Sequence, residues 1–419
     1  MSSNWRKMTL KEAGVILIDC DHKTPKAQES GKPYVGIPQL KDCRITLDGA
    51  RLISEEDFLH WRRKAKPQEH DVILSRRCNP GVTGYVTGGL EIALGQNLVL
   101  LRADGEIIYP PFLRWLTRSK YWWNQVDTFI NVGAVFESLK CADIPKFEIL
   151  VPSIEEQKLL TNCMSSIDDK IALNSQTNQT LEEMAQAIFK SWFVDFDPVK
   201  AKMRGEQPEG MDAATAALFP KKLIESELGL IPEGWEVTNV GKVSECFDKK
   251  RIPLSKKQRE QKKGSIPYHG ATSVMDFVDE AIFDDIYLLL GEDGSVVKDD
   301  GTPFIQYIWG PAWVNNHAHV LQGRKSISTE QLMLFFQQTN INAYVTGAVQ
   351  LKINQGNMNS IPFIKAPENI NKCFEELITP FYKKIRAIKE ENEELTKLRD
   401  TLLPKLLSGE IDLTQISEQ

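Results

Sequence analysis

The feature that most constrains this chain is that it says the same thing twice. Residues 129–152, "FINVGAVFESLKCADIPKFEILVP", resemble residues 344–367, "YVTGAVQLKINQGNMNSIPFIKAP", with Gly133-Ala134-Val135 matching Gly347-Ala348-Val349. The same offset pairs Ile171 with Ile385, Asn178 with Asn392 and Leu181 with Leu395, and it sets Val72-Ile73-Leu74 on Ile286-Tyr287-Leu288. Trp5 and Trp235 open the two copies at a slightly larger offset, the drift that insertions between strands produce. A repeat of this length means one architecture built twice, so the chain is expected to fold as a domain followed by a long helix, then again. Within each domain, β-like runs ("DVILSRR", "AIFDDIYLLLG") alternate with turn signals and with helical stretches such as "PPFLRWLTRSKYWWNQV".

The two helices carry a heptad pattern. Leu160, Met164, Ile167, Ile171, Asn174, Asn178, Leu181, Ala185, Ile188 and Trp192 alternate in steps of four and three. Leu377, Phe381, Ile385, Ile388, Asn392, Leu395, Leu402 and Leu406 do the same in the second helix, with Arg399 in the remaining slot. A 3.5-residue period is a coiled-coil signature, and Asn within the seam fixes register at some cost in stability. Two such helices in one chain, separated by a domain, are expected to pair antiparallel; the alternative is that each docks on its own domain. The first ends in "IFKSWFVDFDP", whose Phe189, Trp192, Phe193 and Phe196 need a cover: the second helix, the following domain or another subunit.

The expected fold class is therefore α/β (α+β): two similar globular domains separated by two long antiparallel helices. The expected boundaries are 1–152 for the first domain, 153–197 for the first helix, 198–230 for a small-residue and Pro/Gly-rich connector, 231–366 for the second domain, 367–408 for the second helix and 409–419 for a tail.

Catalytic patterns are missing. There is no G-x-x-x-x-G-K-[ST] loop, no G-x-S-x-G elbow, no H-E-x-x-H, and no Asn/Asp-Pro-Pro-aromatic tetrapeptide of the amino methyltransferases. The seven cysteines show no C-x-x-C pair, which argues against a zinc cage or a disulfide framework. His317-x-His319 lacks Cys or carboxylate neighbours at ligand spacing, so no metal site is expected. Asp284-Asp285 and Glu292 read as turn and loop carboxylates. No apolar run approaches the roughly 18 residues that span a bilayer, and the N-terminus is polar, unlike a signal peptide; no membrane is expected and the cytoplasm is the expected location.

A net charge of -6 excludes a uniformly basic nucleic-acid binder but not local basic faces. Residues 248–264, "DKKRIPLSKKQREQKKG", concentrate Lys249, Lys250, Arg251, Lys256, Lys257, Arg259, Lys262 and Lys263. In the first copy "HWRRKAKPQEHDVILSRRC" supplies Arg62, Arg63, Lys64, Arg76 and Arg77. Lysine at this density suits phosphate, and arginine can grip guanine in a major groove. Two modules, each with a basic stretch and neither with a catalytic constellation, point to recognition of double-stranded DNA; a DNA-independent scaffold is the alternative.

The stretch "EEMAQAIFKSWFVDFDPVKAK…GMDAATAALFP…SELGLIPEGWEV" within residues 182–237 resembles the central region of specificity subunits of Type I restriction-modification enzymes, and "TLLPKLLSGEI" resembles the end of their distal conserved helix. The resemblance implies two target-recognition domains, each reading one half of a bipartite asymmetric site, held apart by paired helices. It also implies two modification subunits that bind S-adenosylmethionine and methylate adenine, and restriction subunits that use ATP and Mg. On that basis no cofactor is expected on this chain, and Phe189, Trp192, Phe193 and Phe196 are the expected docking point for modification subunits.

Overall fold

The structure, a computed structural model, describes residues 5–132, 137–347 and 350–411. The matched Ala134-Val135 and Ala348-Val349 of the repeat lie outside the described residues. Two compact units emerge: Met1–Leu173 together with Glu391–Gln419, and Asn174–Glu390. No helix among the described residues is long and apolar enough to cross a membrane.

The first unit is built on a four-stranded antiparallel sheet in the order Val15–Asp19, Leu98–Ala103, Val72–Ser75, Thr83–Tyr85. Its inner strand opens with an unbroken apolar run, Leu98 to Leu101, because both faces of the sheet are covered. Val99 and Leu101 join Val72 and Leu74 in one core with Trp115, Trp122 and Phe147, whereas Leu98, Leu100 and Ile73 enter another with Val35 and Leu94. A smaller sheet, Arg51–Ile53, Lys32–Val35 and Ala93–Leu94, flanks that second core, and its last pair is parallel. The ribbon of Arg6–Thr9 with Glu148–Val151 joins the two ends of the domain.

The second unit repeats this plan, with one more strand in its side sheet. Its main sheet runs Ser244–Cys246, Ala318–Gly323, Tyr287–Gly291, Ile305–Ile308, all antiparallel. The side sheet runs Val274–Val278, Lys263–His269, Pro311–Val314, Phe283–Asp284, again with one parallel pair, and Glu236–Asn239 pairs with Pro362–Lys365. Matching the inner strands Leu98–Ala103 and Ala318–Gly323 corrects the sequence offset locally. Val72 pairs with Leu101 and Leu288 with Leu321, so the counterpart of Val72 is Leu288, two residues beyond Ile286.

Two further expectations change. Residues 110–126 are not one helix: a single turn, Pro110–Phe112, and a short helix, Leu113–Leu116, are followed by Lys120–Phe129, which restarts where the Ser119 hydroxyl caps the Trp122 amide. The connector is not a linker either. It forms the helices Asp197–Met203 and Ala213–Leu218 and most of a hairpin, and it buries Val199 and Phe219 in the second unit's core.

Long helices occupy Ile154–Phe193 and Glu368–Leu407, each 40 residues and so about 60 Å long. Ser153 and Glu156 exchange hydrogen bonds as a capping box at the first helix's start. Each unit contains half of each helix, and within each the halves run antiparallel. In the first unit Asn392 donates to the Ile171 carbonyl (3.5 Å) and Arg399 to Asp168 (3.1 Å). In the second Asn178 donates to the Ile385 carbonyl (3.4 Å) and the Phe189 ring meets Phe374. Asn178 and Asn392 are repeat mates, as are Ile171 and Ile385, so each unit carries one copy of the same asparagine bond.

The seam itself is only partly the one the heptads select. Asn174, Asn178, Ile385 and Ile388 are buried, and Ile167, Ile171, Leu181, Ile188, Phe381, Asn392, Leu395 and Leu402 are half-buried. The fully buried stripe lies one residue further in several places: Asp168 beside Ile167, Phe189 beside Ile188, Ile378 and Tyr382 beside Leu377 and Phe381, and Leu403 beside Leu402. A straight helix advances 3.6 residues per turn and drifts about 20° per heptad, which carries the inward face across to the neighbouring position.

Candidate nucleic-acid interface

In the first unit the helix Glu55–Trp61 is capped by Ser54 and closed by Arg62. Arg62 lies over the Phe58 ring (4.7 Å to its centroid) and faces Glu91 at 3.4 Å, so it is a packed, paired side chain. Arg63 is exposed. Lys64 donates to the Cys20 carbonyl at 3.2 Å and reaches toward Asp19, and Arg76 is half-buried beside His22 (3.3 Å). Arg77 is exposed at the end of the buried strand Val72–Ser75. Arg63 and Arg77 have no ion pair among the described residues.

In the second unit the basic run divides into a buried and an exposed part. Arg251 is packed between Asp248 (3.1 Å) and Glu292 (2.6 Å) and also donates to the Ala318 carbonyl. Its charge is neutralised inside the fold, which removes it from the expected DNA-contacting set. His319, buried on the inner strand, completes this network: Nδ1 faces the Asp248 carboxylate at 2.5 Å and Nε2 faces the Ile353 carbonyl at 2.9 Å. Burial alone would raise the Asp248 carboxyl; the bonds from His319 and the Val320 amide, with Arg251 nearby, hold it below the ordinary range.

Beyond Arg251 the chain forms the helix Lys256–Gln261, opened by a capping box between Ser255 and Gln258. Arg259 and Lys263 converge on Asp276 (3.0 and 2.6 Å), and Lys262 reaches Asp279 and Glu280. Bonds from Lys263, the Phe277 amide and Arg259 lower the Asp276 carboxyl to about 2. Lys249, Lys250, Lys256 and Lys257 are exposed and have no ion pair among the described residues.

Two groups bring possible metal ligands within 4.8 Å of one another: Asp19, Cys20 and His22, and Cys246, Asp248 and His319. The sequence spacing hid the second group, because the sheet supplies the partners His319 lacks locally. In both, burial pushes the thiol up, Cys20 to about 11 and Cys246 to about 12, so the sulfur stays protonated. Cys20 donates to the Gly95 carbonyl (3.1 Å), and both His319 nitrogens are occupied. The first group meets Lys64 and Arg76 of the basic stretch, and Asp248 of the second binds His319 and Arg251.

The geometry is that of a duplicated scaffold with basic surface on it, and comparison with known proteins agrees. The family model of the Type I restriction modification DNA specificity domain matches twice, over residues 2–183 and 232–397. The HindI specificity subunit of Haemophilus influenzae is 25% identical over 420 residues, covering 86% of this chain and 90% of that one. The MjaIX specificity subunit of Methanocaldococcus jannaschii is 26% identical over 309 residues, covering 68% and 66%. The crystal structure of the S subunit of a Type I restriction-modification system from M. genitalium shares the fold, with a TM-score of 0.56 at 14% identity over 96% of each chain. This chain belongs to the Type I restriction-modification DNA specificity family. That membership replaces the scaffold alternative with DNA recognition.

In the specificity domains seen here, the expected docking aromatics are interior. Phe193 packs on Phe374 (ring centroids 4.9 Å apart), Trp192 on Phe219 (5.2 Å) and Phe196 on Trp235 (5.5 Å), and all four cluster residues, Phe189 included, are buried. The second long helix, the connector and the start of the domain together cover them. They hold the unit together, and Phe189, Phe193 and Phe196 also line an open apolar cavity of about 430 Å³ with the exposed Val194, Leu228 and Leu230. Sequence reasoning also missed Asp168, on which Arg114 (2.5 Å), Arg399 (3.1 Å) and Arg44 (3.4 Å) converge. Its signal was present, since Asp168 stands four residues after Met164 and three before Ile171. Burial pushes Arg114 below its ordinary value, against the pull of Asp168.

Proposed function

We propose that each specificity domain reads one half of a bipartite, asymmetric site in double-stranded DNA, and that this recognition directs two modification subunits to methylate adenine and restriction subunits to cleave. The observation that carries this reading is a difference within the repeat. Both domains share one strand order in the main sheet, but their basic residues sit on different connections, after an acidic helix in the first and on a basic helix in the second. Glu55–Trp61 with Arg63 follows the side-sheet hairpin in the first domain, whereas Lys256–Gln261 precedes the hairpin in the second. Like scaffolds with unlike contact elements read unlike sequences, which is what an asymmetric two-part site requires. In this reading the exposed Arg63, Arg77, Lys249, Lys250, Lys256 and Lys257 meet phosphate or base edges, and S-adenosylmethionine, ATP and Mg are bound by the partner subunits.

The test is to co-express the full chain with its modification subunits and map methylated adenines genome-wide. A two-part motif with a constant gap is expected. A single contiguous motif, or methylation independent of this chain, overturns the reading.

A further inference from the structure

The strand Val274–Val278 is the outer edge of the side sheet in the second unit, paired among the described residues only with Lys263–His269. Val278 is fully buried and Asp276 is pinned by Arg259 and Lys263, while Val274, Met275 and Phe277 are 42%, 55% and 50% exposed. Two large apolar side chains, two positions apart on an open sheet edge, are a pairing hazard unless something covers them.

Their surroundings say what that is. The Asp276 carboxylate straps the basic helix Lys256–Gln261 to this strand, so the apolar pair and the lysines form one rigid element. Lys256 and Lys257 on that helix, and Lys249 and Lys250 before it, are exposed without ion pairs among the described residues, in a chain whose net charge is -6. Local positive charge beside an apolar pair complements an anionic polymer with apolar groups within reach. The hairpin is also irregular: its register shifts between Lys263 and Ile266 and between Tyr268 and His269. Such bulges add twist and re-aim side chains. Tyr268 and His269 also pair with Trp313 and Val314, but from Lys263 to Pro267 the hairpin is two-stranded, and a ribbon of that kind fits the major groove of B-DNA, about 12 Å wide, where the thymine C5 methyl is the apolar group on display.

We propose that the hairpin Lys263–His269/Val274–Val278 enters the major groove, that Met275 and Phe277 contact thymine methyl groups there, and that the neighbouring lysines hold the flanking phosphates. This rests on the half-site reading above and assigns part of the second domain's sequence preference to these two residues. In the first unit the corresponding edge strand, Arg51–Ile53, carries no such exposed pair, so the contact belongs to one half-site only.

The experiment uses the full chain assembled with its modification subunits. The wild-type methylation motif first tests the half-site reading, and its absence defeats that reading independently of the hairpin. With the motif in hand, Met275→Ser/Phe277→Ser is expected to relax one half only, lowering cognate affinity about tenfold, within the range of a single mismatched base pair, without altering its salt dependence. Replacing thymine by deoxyuridine in that half is expected to weaken the wild type several-fold and leave the variant unaffected. Lys256→Ala/Lys257→Ala is expected to weaken all sequences alike and to reduce the slope of log K against log salt by about 1 to 2. An unchanged motif in the serine variant, a relaxation shared by both halves, or a half-site without thymine overturns the proposal. So does capture of the apolar pair in a self-dimer that Met275→Ser/Phe277→Ser abolishes while the motif is retained.

Discussion

The two units solve one packing problem with different chemistry. The repeat sets Asp168 and Arg399 of the first unit on Tyr382 and Ala185 of the second: a buried carboxylate gripped by guanidinium groups against two side chains buried in an apolar core. It likewise sets Leu403, Leu406 and Leu407 on Phe189, Trp192 and Phe193. The backbone plan survives both exchanges, so neither chemistry is demanded by the helix pair itself. A buried ion pair is often no more stabilising than an apolar pair of similar volume, yet removing one partner leaves the other charge stranded. At these matched helix positions the first unit is therefore the more fragile of the two toward single charge deletions.

The largest expected effect follows from that asymmetry. Asp168→Ala leaves Arg114, Arg399 and Arg44 around an empty position, at a cost of about 3–5 kcal/mol. Amide exchange should accelerate in the strand Leu98–Ala103 and stay unchanged in Ala318–Gly323. Equal acceleration in both strands would show that the units do not unfold separately and would break the comparison. Next comes the pair of helix ends: Phe193→Ala should cost about 3–5 kcal/mol and Leu407→Ala about 2–4 kcal/mol, each read out in its own unit's inner strand. Smaller again, Arg399→Ala should cost about 1–3 kcal/mol, because Asp168 keeps the donors of Arg114 and Arg44.

What the sequence disclosed and what it withheld divide along the same line. The duplication, the two long helices and the Asn178/Asn392 pair were legible because each depends on local periodicity and on a match between copies. The seam's true centre was not. Asp168 stands at core spacing between Met164 and Ile171, but its charge argues against burial until Arg114 and Arg44, more than fifty residues away in the chain, are brought to it by the fold. The aromatic cluster was correctly marked as needing a cover, but the identity of that cover was hidden, since Phe219 lies in a stretch whose composition reads as linker. Among the basic residues, charge density alone could not separate Arg251, enclosed by Asp248 and Glu292, from Lys256 and Lys257, which face solvent. Met275 and Phe277 read as ordinary strand residues, and only the sheet order shows that their strand is an edge.

The smallest expected effect sharpens the contrast between the two side-sheet edges. Asp276 titrates at about 2 in the folded chain because Lys263, the Phe277 amide and Arg259 favour its charged form, whereas in an unfolded chain an aspartate titrates near 4. Between those values the unfolded state binds more protons, so the stabilisation from this strap is complete above about pH 4 and disappears as pH falls toward 2. Acid titration should therefore loosen the helix Lys256–Gln261 from its hairpin, seen as faster amide exchange in Lys263–His269, while the first unit's edge strand, Arg51–Ile53, shows no matching step because it has no carboxylate to protonate. Asp276→Asn should abolish the step and, by freeing Arg259 and Lys263, raise the salt dependence of DNA binding. A step that persists in Asp276→Asn would place the acid-sensitive group elsewhere, with Asp279 and Glu280 beside Lys262 the next to test.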